Sequence, residues 1–381
     1  MNAAIGHILH IPRWFPGLNS PQGGIFIFKH IAASINFRHS VINVNSSRGK
    51  NIPVNTVLIG QTDLITTYSY FYNSRNKVWS LFLYVRGVYK CYKEVLKQQS
   101  KPDVIHAHVL LRTYVVAYFI HLLLKKPYII TEHWSGYHYG LFWKKSLFYR
   151  FLLRFTMKRA GRILVVSNRL KRDILDCVSV EQEQLEIIPN VAEAIIKKHQ
   201  SKADGPVRIV SVADLKDGIK RVSSVIEIIR ELNLENVEYH IIGDGPDMEN
   251  LQVLAGSMLN RSVYFYGELS NDQVLSKLSE FDFLIQNSLY ETFGLVPLEA
   301  LLAGLPVIST ITGCPEEIQS SEAGIFIDPD QPEALKNAIY KMVNTYRNYD
   351  LGGIQKKITE RFSSAQVGIE QERIYNDILK K

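Results

Sequence analysis

The sequence predicts an α/β protein of two doubly wound domains in tandem. Three observations carry that prediction. Short apolar runs alternate with helical stretches of ten or more residues, the pattern of a parallel sheet covered on both faces. The alternation stops at a polar stretch ending in Gly-Pro, residues 192–206, and starts afresh beyond it. The length, 381 residues, suits two domains, and 46% hydrophobic against 21% charged residues supplies two cores.

The first domain, 1–191, opens with a strand-like run over Gly6–Pro12, a loop rich in Pro and Gly over Pro12–Gly24, and a helix from Ile25 to about Phe37. A strand is expected at Ser40–Asn45 and a long basic-aromatic helix over 77–99. Val104–Ala107 and Tyr128–Thr131 are short apolar strands, each bounded by a proline, with a helix over Leu110–Leu124 between them. A second basic-aromatic helix is expected over 141–160 and a buried strand over Ile163–Ser167. In the second domain, 205–361, strands are expected at Val207–Val212, Tyr239–Ile242, Val263–Tyr266, Phe283–Gln286 and Pro306–Ser309. The final helix, Ser364–Leu379 within 362–381, is expected to pack back across both domains.

Composition excludes several classes. Three dispersed cysteines, Cys91, Cys177 and Cys314, argue against a disulfide scaffold or a zinc ribbon and for a reducing, cytoplasmic compartment. The start, MNAAIGHILHIP, lacks the form of a signal peptide, and the best apolar stretch, Thr113–Leu124, is too short to span a bilayer. Residues 1–190 carry 25 Lys+Arg against 9 Asp+Glu, a net +16; residues 191–381 carry 19 against 28, a net −9. The first half therefore faces something anionic. Its two basic-aromatic stretches, Lys77–Lys90 and Phe142–Phe155, have the make-up of interfacial helices and point to peripheral contact with an anionic membrane, at its inner face. The other reading is aromatic core packing beneath a solvated basic face. No nucleic-acid motif accompanies them.

Ligands of open α/β sheets bind beyond the carboxyl ends of the strands, so chemistry is sought in the strand-to-helix loops. The segment 287–308 is the most informative. A strand ends near Gln286, Glu291 lies in the loop, and a helix starts near Gly294 with Pro297 in its first turn. The free N–H groups of that helix make an anion site. Glu291 and Glu299 flank it, about 12 Å apart if all eight residues were helical. A phosphate between two carboxylates suits a nucleotide sugar, with one glutamate on ribose hydroxyls and the other on a hexose. Gly243 and Gly245, in Gly243-Asp-Gly-Pro246 after an apolar strand, would allow close approach to the base or ribose. His106 and His108 form a His-x-His pair, with no third metal ligand at useful spacing.

The string from Glu291 to Glu299 resembles the E-x7-E region of the retaining nucleotide-sugar glycosyltransferases of family 4 (glycosyl transferases group 1). The pieces Pro189-Asn190, Ile242–Pro246, Tyr264–Gly267 and Gly313–Glu316 resemble further elements of that family in the expected order. The resemblance covers most of the chain and implies the GT-B architecture, two Rossmann-like domains facing across a cleft. It implies Glu291 beside the donor hexose, Glu299 on the ribose, and backbone N–H groups of Phe293, Gly294 and Leu295 on sugar and diphosphate. The family usually supplies an Arg and a Lys after the first strand of the second domain. Here Asp214 stands where the Arg is expected. Lys220 is then the cation for the diphosphate, with Lys216 or Arg221 as substitutes.

In the first domain, His133 of Thr131-Glu-His133-Trp134 matches a family His that meets the donor sugar or the acceptor, and His108 falls in another family element on the acceptor side. Gly23 and Gly24 would approach acceptor and diphosphate, and Ser167 would line the cleft. The function implied is retaining, metal-independent hexosyl transfer from a nucleotide diphosphate sugar to a glycan or lipid-linked acceptor in cell-surface polysaccharide synthesis, with no cofactor. Rival readings are a nucleotide-sugar epimerase or hydrolase, and a non-catalytic nucleotide-sugar-binding protein.

Overall fold

In the computed structural model the chain divides into two α/β units, Met1–Val191 with Ser364–Lys381, and Ala192–Ser363. The structure describes residues 5–18, 20–47, 52–193, 205–234 and 236–380, so most of the expected linker lies outside the described residues.

The first unit runs β1 (His7–Pro12), α1 (Ile25–Ala33), β2 (Arg38–Ser46), β3 (Val57–Gln61), β4 (Ile65–Tyr72), α2 (Lys77–Gln98), β5 (Val104–His108), α3 (Leu111–Leu124), β6 (Tyr128–Glu132), α4 (Leu147–Arg159), β7 (Ile163–Val165), α5 (Asn168–Cys177) and β8 (Leu185–Ile187). Its sheet has the order β3-β4-β2-β1-β5-β6-β7-β8. Only β3 is antiparallel to its neighbour. The chain steps one way from β1 to β2, and the other way from β4 through β5, β6, β7 and β8. Right-handed crossovers therefore set α1 on one face and α2, α3, α4 and α5 on the other.

Three strands were not expected from the sequence: β3, β4 and β8. The second basic-aromatic helix is shorter than 141–160. Gly140 takes φ 63° in a turn, and Ser146 starts α4 by accepting the Tyr149 N–H at 3.2 Å. Phe142 thus lies in the turn, fully buried and stacked 6.0 Å from Tyr137.

The second unit runs β9 (Val207–Val212), α6 (Asp217–Lys220), α7 (Val222–Leu232), β10 (Val237–Ile242), α8 (Met248–Ala255), β11 (Val263–Phe265), α9 (Asn271–Leu278), β12 (Phe283–Gln286), α10 (Leu295–Leu302), β13 (Val307–Thr310), β14 (Gly324–Ile327), α11 (Pro332–Thr345) and α12 (Gly352–Phe362). Its six parallel strands lie in the order β11-β10-β9-β12-β13-β14. Ile209, Tyr239, Phe283 and Ile339, all fully buried, lie in its core. The edge strand β14 was not expected.

The last helix, α13 (Ser364–Leu379), belongs to the first unit. It lies along α1, with Gln371 accepting from Ser34 Oγ at 2.9 Å and the Tyr375 hydroxyl 2.8 Å from His106 Nδ1.

Candidate functional site

In the second unit the strand order reverses between β9 and β12, the place where a doubly wound sheet opens a crevice at its carboxyl edge. The loops after these strands are stitched together. The Leu289 N–H donates to Ile219 O at 2.8 Å, and Asn287 Nδ2 to Arg221 O at 3.2 Å. Asp217 steadies the first loop by accepting the Ser223 N–H at 2.9 Å. These ties bring Lys220 onto Glu291, 71 residues apart, as a partly buried ion pair.

Glu291 is held through one oxygen. Oε1 accepts from Lys220 Nζ, from Gln286 Nε2 at 2.8 Å and from Ser288 Oγ at 2.9 Å. Ser288 is fixed in turn, its carbonyl accepting from Thr310 Oγ1 at 2.7 Å and Thr312 Oγ1 at 3.0 Å. The other carboxylate oxygen stays available to a ligand. Sequence reasoning missed Gln286 and Ser288 as supports, although they flank the strand end.

Helix α10 begins directly after this carboxylate. Gly294 has φ 83°, and a Cβ there would lie 2.1 Å from Gly313 O, so only glycine fits. The N-cap, Gly294, has no side chain to bond the first N–H groups of the helix, from Leu295 on, and such a helix start favours an anion. Phe293 is buried against Phe362 (5.7 Å). Only Leu295–Leu302 is helical, so the all-helical 12 Å spacing of the two glutamates does not apply. Glu299 is buried within that helix.

The other expected cations are engaged elsewhere. Lys216 pairs with Asp214, both exposed, so the acidic departure meets a local countercharge. Arg221 pairs with Asp330. Gly243 and Gly245 make their close approach to the chain itself, since Cβ atoms there would lie 1.8 Å from Ala213 O and 2.6 Å from Leu215 O. They pack the β10 loop onto the β9 loop.

In the first unit the order reverses between β1 and β5. Glu132, at the end of β6, is fully buried and organises the turn that follows. Oε1 accepts the N–H groups of His133 (2.8 Å) and Trp134 (2.9 Å); Oε2 accepts the hydroxyls of Tyr114 (2.5 Å) and Tyr137 (3.0 Å). Burial pushes its carboxyl up, and the four donors oppose the shift. Its role was unforeseen, although a lone acid closing an apolar strand is a visible signal. His133 is buried against Phe26 (4.6 Å) and His30 (5.8 Å). Burial holds it well below the usual histidine range.

Two acceptor-side candidates have partners of their own in the structure. His108 is fully buried, with Nε2 3.0 Å from His10 Nδ1, and so sits inside the sheet layer rather than at its surface. The Ser167 hydroxyl caps α5 by accepting the Leu170 N–H at 3.1 Å. The nearest neighbours of Gly23 and Gly24 are Ser20 and Trp14 of their own loop. The metal reading also changes, because β1 supplies the third imidazole: one ring nitrogen each of His10, His106 and His108 lies within 4.8 Å of the others. Among these three rings every nitrogen but His108 Nδ1 has a hydrogen-bond partner. His10 bonds His108 and His39, while His106 bonds Tyr375 and Thr131 (2.6 Å).

Residues 192–351 match the family described as Glycosyl transferases group 1, and residues 37–193 match Glycosyltransferase Family 4. The chain is 23% identical to N-acetyl-alpha-D-glucosaminyl L-malate synthase of Bacillus anthracis over 74% of its own length and 77% of that protein. Among solved structures it resembles sucrose-phosphate synthase of Thermosynechococcus elongatus (TM-score 0.78, 17% identity, 98% and 99% of the two chains). It also resembles Anabaena HepE in complex with UDP and glucose (TM-score 0.71, 15% identity, 98% and 100%). Two family matches in tandem, on two parallel-sheet units with the glutamate string where the sheet reverses, agree on one assignment. The chain belongs to the family 4-like glycosyltransferases of the GT-B fold.

Proposed function

We propose that this protein transfers a hexose, with retention, from a nucleotide diphosphate sugar to a hydroxyl of a glycan or lipid-linked acceptor in cell-surface polysaccharide synthesis. The observation that carries the reading is the Lys220–Glu291 pair beside the uncapped start of α10. The diphosphate lies on the α10 N–H groups with Lys220 beside it, and the free oxygen of Glu291 takes a hexose hydroxyl. His133 takes a hydroxyl of the sugar, as the family resemblance implies. As the anomeric C–O bond breaks, its electron pair goes to the β-phosphate. The acceptor oxygen bonds the anomeric carbon from the same face and gives its proton to that phosphate. Lys220 and the helix N–H groups steady the developing charge, so the reading calls for no metal and no cofactor.

The acceptor is met at the inner face of an anionic membrane. Residues 64–93 and 133–172 contain no Asp or Glu but five and ten Lys+Arg respectively. They expose Trp79 and Phe82 on α2 and Phe148 and Phe151 on α4, and both helices lie on one face of the sheet. What two of the three proteins named above bind or make, glucose with UDP and a glucosaminyl malate, is consistent with sugar-nucleotide chemistry. The test is incubation with UDP-, GDP- and ADP-sugars, measuring binding and nucleotide release. One donor that binds and is turned over supports the reading, and failure of every donor to bind sinks it.

A further inference from the structure

At the end of β6 two successive side chains part. Neighbouring residues of a strand point to opposite faces of the sheet. Glu132 points toward α3, where the Tyr114 hydroxyl meets it, and His133 toward α1, where Phe26 and His30 meet it. The Glu132 carboxylate is fully buried among its own donors, so no ligand touches it. It reaches His133 through the backbone alone.

Its four hydrogen bonds divide into two halves. Oε1 gathers two successive N–H groups, those of His133 at 2.8 Å and Trp134 at 2.9 Å, a cradle that suits an anion and fixes the direction in which the chain leaves the strand. Oε2 takes two hydroxyls, Tyr114 from α3 and Tyr137 from the far end of the turn. Between them Ser135–Tyr137 makes a single 3-10 turn that closes on itself, since a Cβ at Gly136 would lie 2.0 Å from Trp134 Cζ2. Apolar residues of like volume can replace a buried charge and its partners with no loss of stability. What the carboxylate adds is direction, given to the backbone on which His133 stands.

We propose that Glu132 is a positioning residue for His133: Oε1, by drawing together the N–H groups of residues 133 and 134, aims the imidazole at the place where the sugar hydroxyl is taken, while Oε2 serves the fold. The effect runs through hydrogen-bond geometry, not through charge. The role of His133 toward the sugar rests on the proposed function, whereas the placement of its ring by Glu132 does not.

The test is a double-mutant cycle on donor turnover in the full chain, run below the unfolding midpoint of every variant. It is joined to NMR of the His133 ring protons, which the Phe26 ring shifts from 4.6 Å and which are assigned by their loss in His133→Ala. Glu132→Ala and His133→Ala should each lower kcat about tenfold, the loss of one neutral hydrogen bond, with donor KM changed less than about threefold. Together they should still lose about tenfold, because the first acts through the second; an additive loss of about a hundredfold overturns the proposal. Glu132→Gln, whose amide oxygen can take both N–H groups, should recover kcat to within about threefold, and a loss as large as alanine's makes charge the cause and overturns it. Tyr137→Phe disturbs only the Oε2 half. It should lower the thermal midpoint and leave kcat and the His133 signals as in the wild type, and a fall in kcat matching that of Glu132→Ala overturns the division. The His133 signals should move in Glu132→Ala; signals that stay in place refute the positioning. If Glu132→Ala does not fold, Glu132→Asp, with its carboxylate withdrawn by one methylene, takes its place in the cycle and the spectrum. A ring that moves as expected, in a protein that turns over no donor, would refute the proposed function and leave this inference standing.

Discussion

Mild acid should unfold the first unit selectively. Burial lowers the pKa of His30 and His39 to about 4, and lowers His10, His106, His108 and His133 well below 6.5. In the unfolded chain these side chains titrate near 6.5. The unfolded state therefore binds more protons across the interval, so the stability is fully present above about 6.5 and is lost as pH falls toward 4. Between pH 7.5 and 5.5 each such histidine removes about 1.4 kcal/mol, so His30 and His39 alone remove about 3 kcal/mol. The other four act in the same direction. Glu132, its carboxyl pushed up by burial, acts in the opposite one, but it is a single group restrained by four donors. A loss of about 3 kcal/mol is a large part of a typical 5–15 kcal/mol and lowers the midpoint on the order of 10 °C. The assay is built in, because all 4 tryptophans (Trp14, Trp79, Trp134 and Trp143) lie in the first unit. Thermal unfolding followed by tryptophan emission at the two pH values should show the shift. A midpoint constant within about 2 °C would refute the claim that these rings are held neutral.

Lys220→Ala and Glu291→Ala should each lower donor turnover about 100-fold or more, the cost of one transition-state charge partner, with near-normal urea midpoints; wild-type turnover would remove that residue from the site. Glu132→Ala strands four donors and should cost about 3–5 kcal/mol in urea unfolding read by tryptophan emission, while Glu132→Gln, which keeps one acceptor oxygen, should cost clearly less. Trp79→Ser with Phe148→Ser should weaken co-sedimentation with anionic vesicles at low salt without changing turnover of a soluble acceptor. Equal binding by wild type and variant would exclude these helices as the contact.

What was legible in the sequence was local. The strand end at Gln286, the loop carboxylate Glu291 and the glycine start of α10 lie within a dozen residues, and their spacing is their geometry. Lys220 was reached only through the family resemblance, since 71 residues separate it from Glu291. Less visible were elements whose side chains lack a clean period. β4, Ile-Thr-Thr-Tyr-Ser-Tyr-Phe-Tyr, is buried along most of its length by tyrosines that read as surface residues, and β14 is four residues long. The run from Phe142 to Phe155 looked continuous because composition hides the turn at Gly140 and the cap at Ser146. The histidines were invisible as a group. His10, His39 and His108 stand on three strands, and only the sheet order makes those strands neighbours, with His39 opposite Ile8 and His108 opposite Pro12.

The return of α13 to the first unit has a consequence for synthesis. Tyr375, Ile374 and Val367 share a buried cluster with Ile8, Phe37 and Val104. When residue 191 leaves the ribosome, that cluster lacks its C-terminal side, and roughly 170 further residues must be added before α13 exists. At about 5–20 residues per second the wait is on the order of ten to thirty seconds. Throughout it the ring of Tyr375 is missing from His106, and the nascent first unit exposes the apolar groove along α1. The second unit, continuous in sequence, can complete its core earlier than the unit translated before it, so the order of folding is the reverse of the order of synthesis.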